Sequence, residues 1–201
     1  MNRGLGTPRQ ESKSDAHRRL VCAATDLFYA EGIRSVPIER ILERARVTRS
    51  TLYRYFGTKE ELVLAYLDKA DRDIRVRFAE AAAGVNDPGG LLTLMIETIR
   101  HDVCGPEFRG CPFINAAAEY ADSDHPVRRA VRDHRAWFID CVRQVLTDAH
   151  HPDAPRASRA LATLRDGTMV GGYLDDKDDV TDALVWAVHA LVGGLSYPAD
   201  Q

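Results

Sequence analysis

Apolar residues recur along the chain at spacings of three and four and rarely alternate with polar ones, a pattern that predicts helices and no strand. From about Asp15 to Glu31, Leu20, Val21, Ala24, Leu27 and Phe28 share one helical face, and Gly32 follows as a stop. A second helix is expected from about Val36 to Ala45, with Ser35 as N-cap, Pro37 tolerated in the first turn, and Ile38, Ile41 and Leu42 facing inward. Arg46 and Val47 form a short turn. Thr48 then caps a third helix that runs to about Tyr55 and is broken by Phe56-Gly57. Thr58 and Glu61 have the spacing of a capping box, so a fourth helix starts sharply and reaches about Ala82.

After an Asn86–Gly90 loop, a fifth helix carries Leu91, Leu92, Met95, Ile96, Ile99 and Val103. Gly105-Pro106 and Gly110-Cys111-Pro112 make an irregular connection to a short helix at about Phe113–Ala121. Asp122 to Pro126 is a turn. A long helix at about Val127–Ala149 has Val131, His134, Phe138, Cys141 and Val145 on one face. His150 to Pro155 break the chain before helices at about Arg156–Tyr173 and Val180–Leu195, the last striped by Leu184, Val188, Leu191 and Leu195. The expected fold is all-α, about nine helices, with no internal repeat. Residues 1–14 read as a flexible basic arm with Arg3, Arg9 and Lys13, residues 15–60 as a helix-turn-helix domain, and residues 61–201 as a larger helical body.

Charge sharpens this division. The net charge is −3, but residues 1–60 carry 12 Lys or Arg against 7 Asp or Glu, while the remainder is acidic by about 8 charges. A basic head on an acidic body suits a polyanion partner for the head alone. No apolar run reaches the ~20 residues of a membrane span, and Met1–Ser14 lacks the apolar stretch of a signal peptide, so a cytoplasmic location is expected. The four cysteines, Cys22, Cys104, Cys111 and Cys141, form no C-x-x-C pair and read as buried thiols packed as small hydrophobes. A redox role for Cys104 and Cys111 has no support in the pattern.

Three helices in some forty residues, with a tight turn before the third, make a helix-turn-helix. Its third helix needs a buried side and a polar side that fits the major groove. Val47, Leu52 and Phe56 supply the first; Thr48, Arg49, Ser50, Thr51, Tyr53, Arg54 and Tyr55 supply the second. Hydroxyls suit phosphate oxygens, and arginine suits phosphate or the guanine edge.

Residues 32–62, GIRSVPIERILERARVTRSTLYRYFGTKEEL, resemble the signature of the TetR/AcrR family of regulators. The likeness is carried by Gly32, Ile41, Ala45, Val47, Thr48, Thr51 to Tyr53, Tyr55, Phe56 and Lys59 to Leu62. Two positions depart from it. Arg46 stands where the family usually has Gly, so either a left-handed arginine or a rearranged turn that frees Arg46 for a phosphate is expected. Pro37 stands where Thr is usual. The resemblance implies DNA contacts from Thr48, Ser50, Thr51 and Tyr53, and phosphate contacts from Tyr55 and Lys59. Arg49 and Arg54 fall at variable positions and are the candidates for base reading. Arg34 and Arg44 read as solvated surface. Tyr53 could also serve chiefly in packing.

The resemblance further implies a homodimer through helices 8 and 9. Helix 9 offers its apolar stripe, and helix 8 has Leu161, Leu164, Thr168, Gly167, Gly171 and Gly172 for close approach. It implies an effector pocket in the body, with Met95, Ile99, Phe113, Asn115, Tyr120, Trp137, Phe138 and Met169 as candidate lining, each equally at home as plain core. Residues 110–127, GCPFINAAAEYADSDHPV, resemble a subgroup in which Gly-Cys precedes an Asn-Ala-Ala-x-Glu helix. His101, Glu119 and His134 could meet if their helices face inward together, but no spacing matches a metal site, and neither metal nor cofactor is expected. The expected function is a repressor released from a palindromic operator by a small-molecule inducer. An enzyme is disfavoured, since no P-loop, dinucleotide fingerprint, nucleophile elbow or zinc-protease motif occurs. The alternative is a helical adaptor, or a regulator without a small-molecule ligand.

Overall fold

The computed structural model describes residues 13–193, and these form nine α-helices and no strand. They divide into two compact units, one up to Tyr66 and one from Leu67. The basic-arm residues Arg3 and Arg9 lie outside the described residues, as does Leu195, while Lys13 already opens the first helix.

In the first unit α1 (Lys13–Glu31), α2 (Ile38–Ala45) and α3 (Arg49–Tyr55) pack on one another, and the first residues of α4 (Lys59–Ala82) complete it. The apolar face expected on α1 is its buried face, with Leu20 and Ala24 fully inaccessible. Ile41, Leu52, Phe56, Leu62 and Val63 fill the space beneath it, while Ile38, Leu42 and Val47 are half-buried at its margin. Gly32 takes φ 88°, a left-handed conformation that glycine adopts without steric cost.

The start of α2 differs from the sequence expectation. Ser35 does not cap it: its hydroxyl donates back to the carbonyls of Glu31 and, at 3.1 Å, Gly32. Pro37 sits at the N-cap itself, at φ −74° and ψ 155°, and its carbonyl accepts from Arg40 N–H at 3.2 Å. The pyrrolidine ring already fixes the φ that an entering residue needs, so α2 begins two residues later than the pattern suggests. Thr58 behaves as expected, accepting from Glu61 N–H at 3.2 Å, and the Glu61 carboxylate reaches back to Gly57 N–H at 2.8 Å.

The second unit holds the rest of α4 with α5 (Pro88–Cys104), α6 (Pro112–Glu119), α7 (Pro126–Asp148), α8 (Ala154–Leu174) and α9 (Lys177–Val192). Four of these helices carry a proline in their first turn, where its missing donor costs nothing. The apolar pattern alone assigns those prolines to the connecting loops. Asp87, Asp153 and Asp176 cap α5, α8 and α9 through their carboxylates. α5, α7, α8 and α9 pack together, and α6 lies on α7. Gly172 permits a close approach of α8 to α5: a Cβ there would stand 2.3 Å from Val103 Cγ1. Two of the cysteines depart from the buried-thiol reading. Cys22 and Cys104 are exposed, Cys141 is half-buried and Cys111 is buried. Among the described residues no helix is long and apolar enough to cross a membrane.

Candidate nucleic-acid interface and effector cavity

The turn between α2 and α3 is built around Arg46. It adopts φ 53° and ψ 49°, so of the two expected arrangements the left-handed arginine is the one present. Its amide and that of Val47 return to the carbonyls of Glu43 and Leu42, both at 3.1 Å, which satisfies the end of α2. Thr48 then caps α3. Its Oγ1 accepts from Thr51 N–H at 3.2 Å and lies 2.9 Å from the hydroxyls of both Ser50 and Thr51, so three hydroxyls form one cluster at the start of the helix.

α3 is held from beneath by Leu52, fully buried, and Phe56, 5% exposed. Its other side is open: Arg46, Thr48, Arg49, Ser50, Tyr53 and Arg54 are exposed, and Thr51 and Tyr55 half-buried. Arg49 pairs with Glu39 of α2, and the Arg54 guanidinium lies 5.1 Å from the centre of the Tyr55 ring. Tyr55 also meets the His17 ring edge-on at 5.6 Å, so half of it belongs to the core. Tyr53 is 49% exposed, more than a tyrosine engaged chiefly in packing would be. Arg44 is exposed and paired with Asp26 at 2.8 Å.

Lys59 has a role that sequence did not reveal. Its ammonium donates to the carbonyls of Ile33 and Val36, both at 2.6 Å, and fastens the start of α4 to the α1–α2 connection. Two charge-assisted hydrogen bonds to the carbonyls of buried residues make it a structural clip.

The second unit contains a cavity with about 570 Å³ of empty space, some of it open to solvent. Of the eight residues expected to line it, Met95, Ile99, Trp137, Phe138 and Met169 do so, joined by Ile74 and Phe78 of α4. Phe113, Asn115 and Tyr120 do not. Phe113 is buried behind His134, Asn115 donates to the Arg109 carbonyl at 2.8 Å to brace the loop before α6, and Tyr120 packs on His125. Arg77, Thr98, Asp102, His134, Cys141 and Arg165 supply the polar wall.

A polar pair of buried His134 and half-buried Asp71 underlies that wall. His134 Nδ1 is 2.7 Å from Asp71 Oδ1, and Asp71 Oδ2 accepts from Arg75 Nε at 2.6 Å. The His134 ring lies flat on Phe113, centroids 3.7 Å apart. Burial, opposed by Asp71 and aided by the positive charges of Arg165 and Arg75, holds the imidazole below the usual histidine range, so it is neutral at pH 7. Burial pushes the Asp71 carboxyl upward, but its bonds to Arg75 and His134 outweigh this and leave it below the usual carboxylate range. Burial also raises the Cys141 thiol, which makes it a poor nucleophile. Among the described residues no group of three or more His, Cys, Asp and Glu side chains, His101, Glu119 and His134 included, could hold a metal ion.

A three-helix unit with a tight left-handed turn and an exposed, hydroxyl-rich third helix, followed by an all-helical unit with a cavity, defines a helix-turn-helix regulator. Comparison with known proteins gives the family. Residues 20–66 match the family model described as bacterial regulatory proteins, tetR family, and residues 92–189 match the tetracyclin repressor-like C-terminal domain. A crystal structure of a TetR-family transcriptional regulator from Streptomyces coelicolor is similar with a TM-score of 0.86 and 44% identity, covering 91% of this chain and 97% of that one. The HTH-type transcriptional regulator LmrA of Bacillus subtilis is 26% identical over 165 residues, 79% of this chain and 87% of LmrA. An HTH-type transcriptional repressor of Mycobacterium tuberculosis is 39% identical over 64 residues, 31% of this chain and 34% of that protein. The chain belongs to the TetR family of DNA-binding transcriptional regulators.

Proposed function

We propose that this regulator is a repressor that binds a palindromic operator as a homodimer and is released by a small-molecule inducer. The observation that carries the proposal is the cavity: Ile74, Arg77 and Phe78 of α4 belong to its wall, and the same helix begins with Lys59 in the helix-turn-helix unit. A ligand seated there bears directly on the helix that leads to the DNA-reading surface. Coupling of ~1–3 kcal/mol through it would change operator affinity 5–150-fold. Residues 15–60 are then the DNA-binding domain and residues 61–201 the sensing and dimerising domain.

At the DNA, Thr48, Ser50, Thr51, Tyr53 and Tyr55 serve as backbone contacts, with Arg46 at the turn reaching a phosphate. Arg49 and Arg54 read base edges, and Lys59 meets a phosphate while its bonds to the Ile33 and Val36 carbonyls hold it in place. The dimer face that fits best differs from the stripe that sequence singles out. Leu184 and Val188 are buried within the chain, 2% and 0% exposed. Gly171 and Gly172 are likewise spent on Val180 and Val103. What remains open is Val170 and Leu174 of α8 with Trp186 of α9, and a Cβ on Gly167 would meet nothing within 4 Å. Trp186, 74% exposed, needs a partner surface far more than Leu184 or Val188 does.

The test is fluorescence anisotropy with DNA from the intergenic region beside the gene, at several salt concentrations. The expected result is saturable binding with a steep salt slope, mostly lost in Tyr53→Ala. Absence of binding at low salt would favour the adaptor reading.

A further inference from the structure

We propose that Glu39 is a specificity-determining residue of the DNA interface. Its carboxylate, bonded to Arg49, accepts a hydrogen bond from the N4 amino group of a cytosine in the base pair next to the guanine that Arg49 reads. This inference rests on the reading of Arg49 as a base reader and adds to that surface a second residue, carried by α2.

The exposed charges of α2 divide by direction. Arg40 pairs with Glu31 and Arg44 with Asp26 at 2.8 Å, so both turn back to α1. Glu39, in the first turn of α2, goes the other way: its Oε1 accepts from Nη2 of Arg49, the first residue of α3. Both side chains are exposed. Side chains at the start of a recognition helix are the ones that reach base edges. The pair therefore brings a carboxylate to the end of α3 that reads DNA.

A carboxylate in that place repels phosphates, and an exposed ion pair adds little to stability. Against bases, however, it discriminates. Cytosine shows the major groove a donor alone, its N4 amino group. Thymine O4 and guanine O6 and N7 are acceptors, and adenine sets N7 beside its amino group. An ionised carboxylate has only acceptors to offer, so it bonds cytosine and is repelled by the acceptors of the other bases. The bond to Glu39 occupies one N–H of the Arg49 guanidinium, whose planar fork keeps others for guanine O6 and N7. One guanidinium then meets guanine directly and holds Glu39 over the neighbouring pair.

Selection from a random-sequence duplex library tests this with the full chain and its Glu39→Ala, Glu39→Gln and Arg49→Ala variants. Anisotropy with the selected duplex and with an unrelated duplex of the same length completes it. The parent is expected to select a half-site with a guanine and an adjacent cytosine. In Glu39→Ala the cytosine preference should fall roughly tenfold while the guanine is kept. The same variant should bind the unrelated duplex at least as tightly as the parent, because a negative charge near phosphates is gone. Glu39→Gln, whose amide matches N6 and N7 of adenine, should shift that position toward adenine. Arg49→Ala should lose the guanine. Unchanged base preferences in Glu39→Ala overturn the proposal, as does an equal loss of affinity for both duplexes, which marks Glu39 as merely structural. A parent half-site without the guanine and cytosine step overturns it too. A guanine retained in Arg49→Ala overturns the base-reading role of Arg49 and the pairing with it, even where Glu39→Ala still loses the cytosine.

Discussion

Substitutions at Arg46 test the strain of the helix-turn-helix turn and the proposed phosphate contact separately. It is a non-glycine residue at φ 53°, where Cβ crowds the following carbonyl at a cost of roughly 1–2 kcal/mol. Arg46→Gly removes that cost but gives the unfolded chain more freedom, worth about 0.4–1 kcal/mol in the opposite direction. The net expectation is a gain of about 0.5–1 kcal/mol, or roughly 1–4 °C in melting temperature for a chain of this length. Arg46→Ala keeps the strain and loses only the charge, so its melting temperature should stay within about 1 °C of the parent. Both variants lose the proposed phosphate contact and should bind DNA more weakly, with the salt slope reduced by about 0.9. Thermal melts and salt-dependent anisotropy on the same preparations give both readouts. A glycine variant less stable than the alanine variant would refute the strain argument. An unchanged salt slope in both would refute the phosphate contact.

Lys59→Met should destabilise the protein by roughly 2–3 kcal/mol, because the carbonyls of Ile33 and Val36 lose a charged donor. A urea titration checks this, and unchanged stability would return Lys59 to a purely DNA-facing role. Trp186→Asp should convert the proposed dimer to a monomer in sedimentation analysis while leaving the circular dichroism of the fold intact. A dimer that persists would exclude the open α8–α9 face as the interface. Folding stability should fall as pH drops below 6.5, the ordinary histidine value, because His134 is held lower in the folded state and the unfolded chain takes up the proton first. Asp71 acts in the same direction further down: its contribution is present above 3.8 and lost as pH falls through its lowered folded value. Urea midpoints from pH 7.5 to 5.0 should show this slope in the parent and a flatter one in His134→Gln.

The helix-turn-helix is legible in sequence because its determinants are local. Thr48 caps α3 from three residues away, and Leu52 and Phe56 bury the side that the spacing assigns to them. Ser35 misleads because its hydroxyl serves as readily as a donor to the preceding turn as it does as a cap, and only the position taken by Pro37 decides between these. The body is legible in outline and obscure in detail for a different reason. An apolar stripe such as Leu184 and Val188 looks the same whether it packs inside the chain or against a second copy, and here it packs inside. Asp71 gives no sign in sequence because its partner His134 is 63 residues away, and Lys59 gives none because its acceptors are backbone atoms that carry no side-chain signature. Phe113 reads as cavity wall because stacking on His134 cannot be distinguished from lining a pocket until the ring positions are known.

The central claim is that two copies of the chain present α3 to a two-fold symmetric stretch of DNA. Selection from a random-sequence duplex library with the purified protein, followed by sequencing, tests it most directly. The expected outcome is enrichment of an inverted repeat whose half-site centres lie about one helical turn, roughly 34–36 Å, or a multiple of it apart, with no enrichment by Tyr53→Ala. Enrichment of a single unrepeated site, or of none, would contradict it.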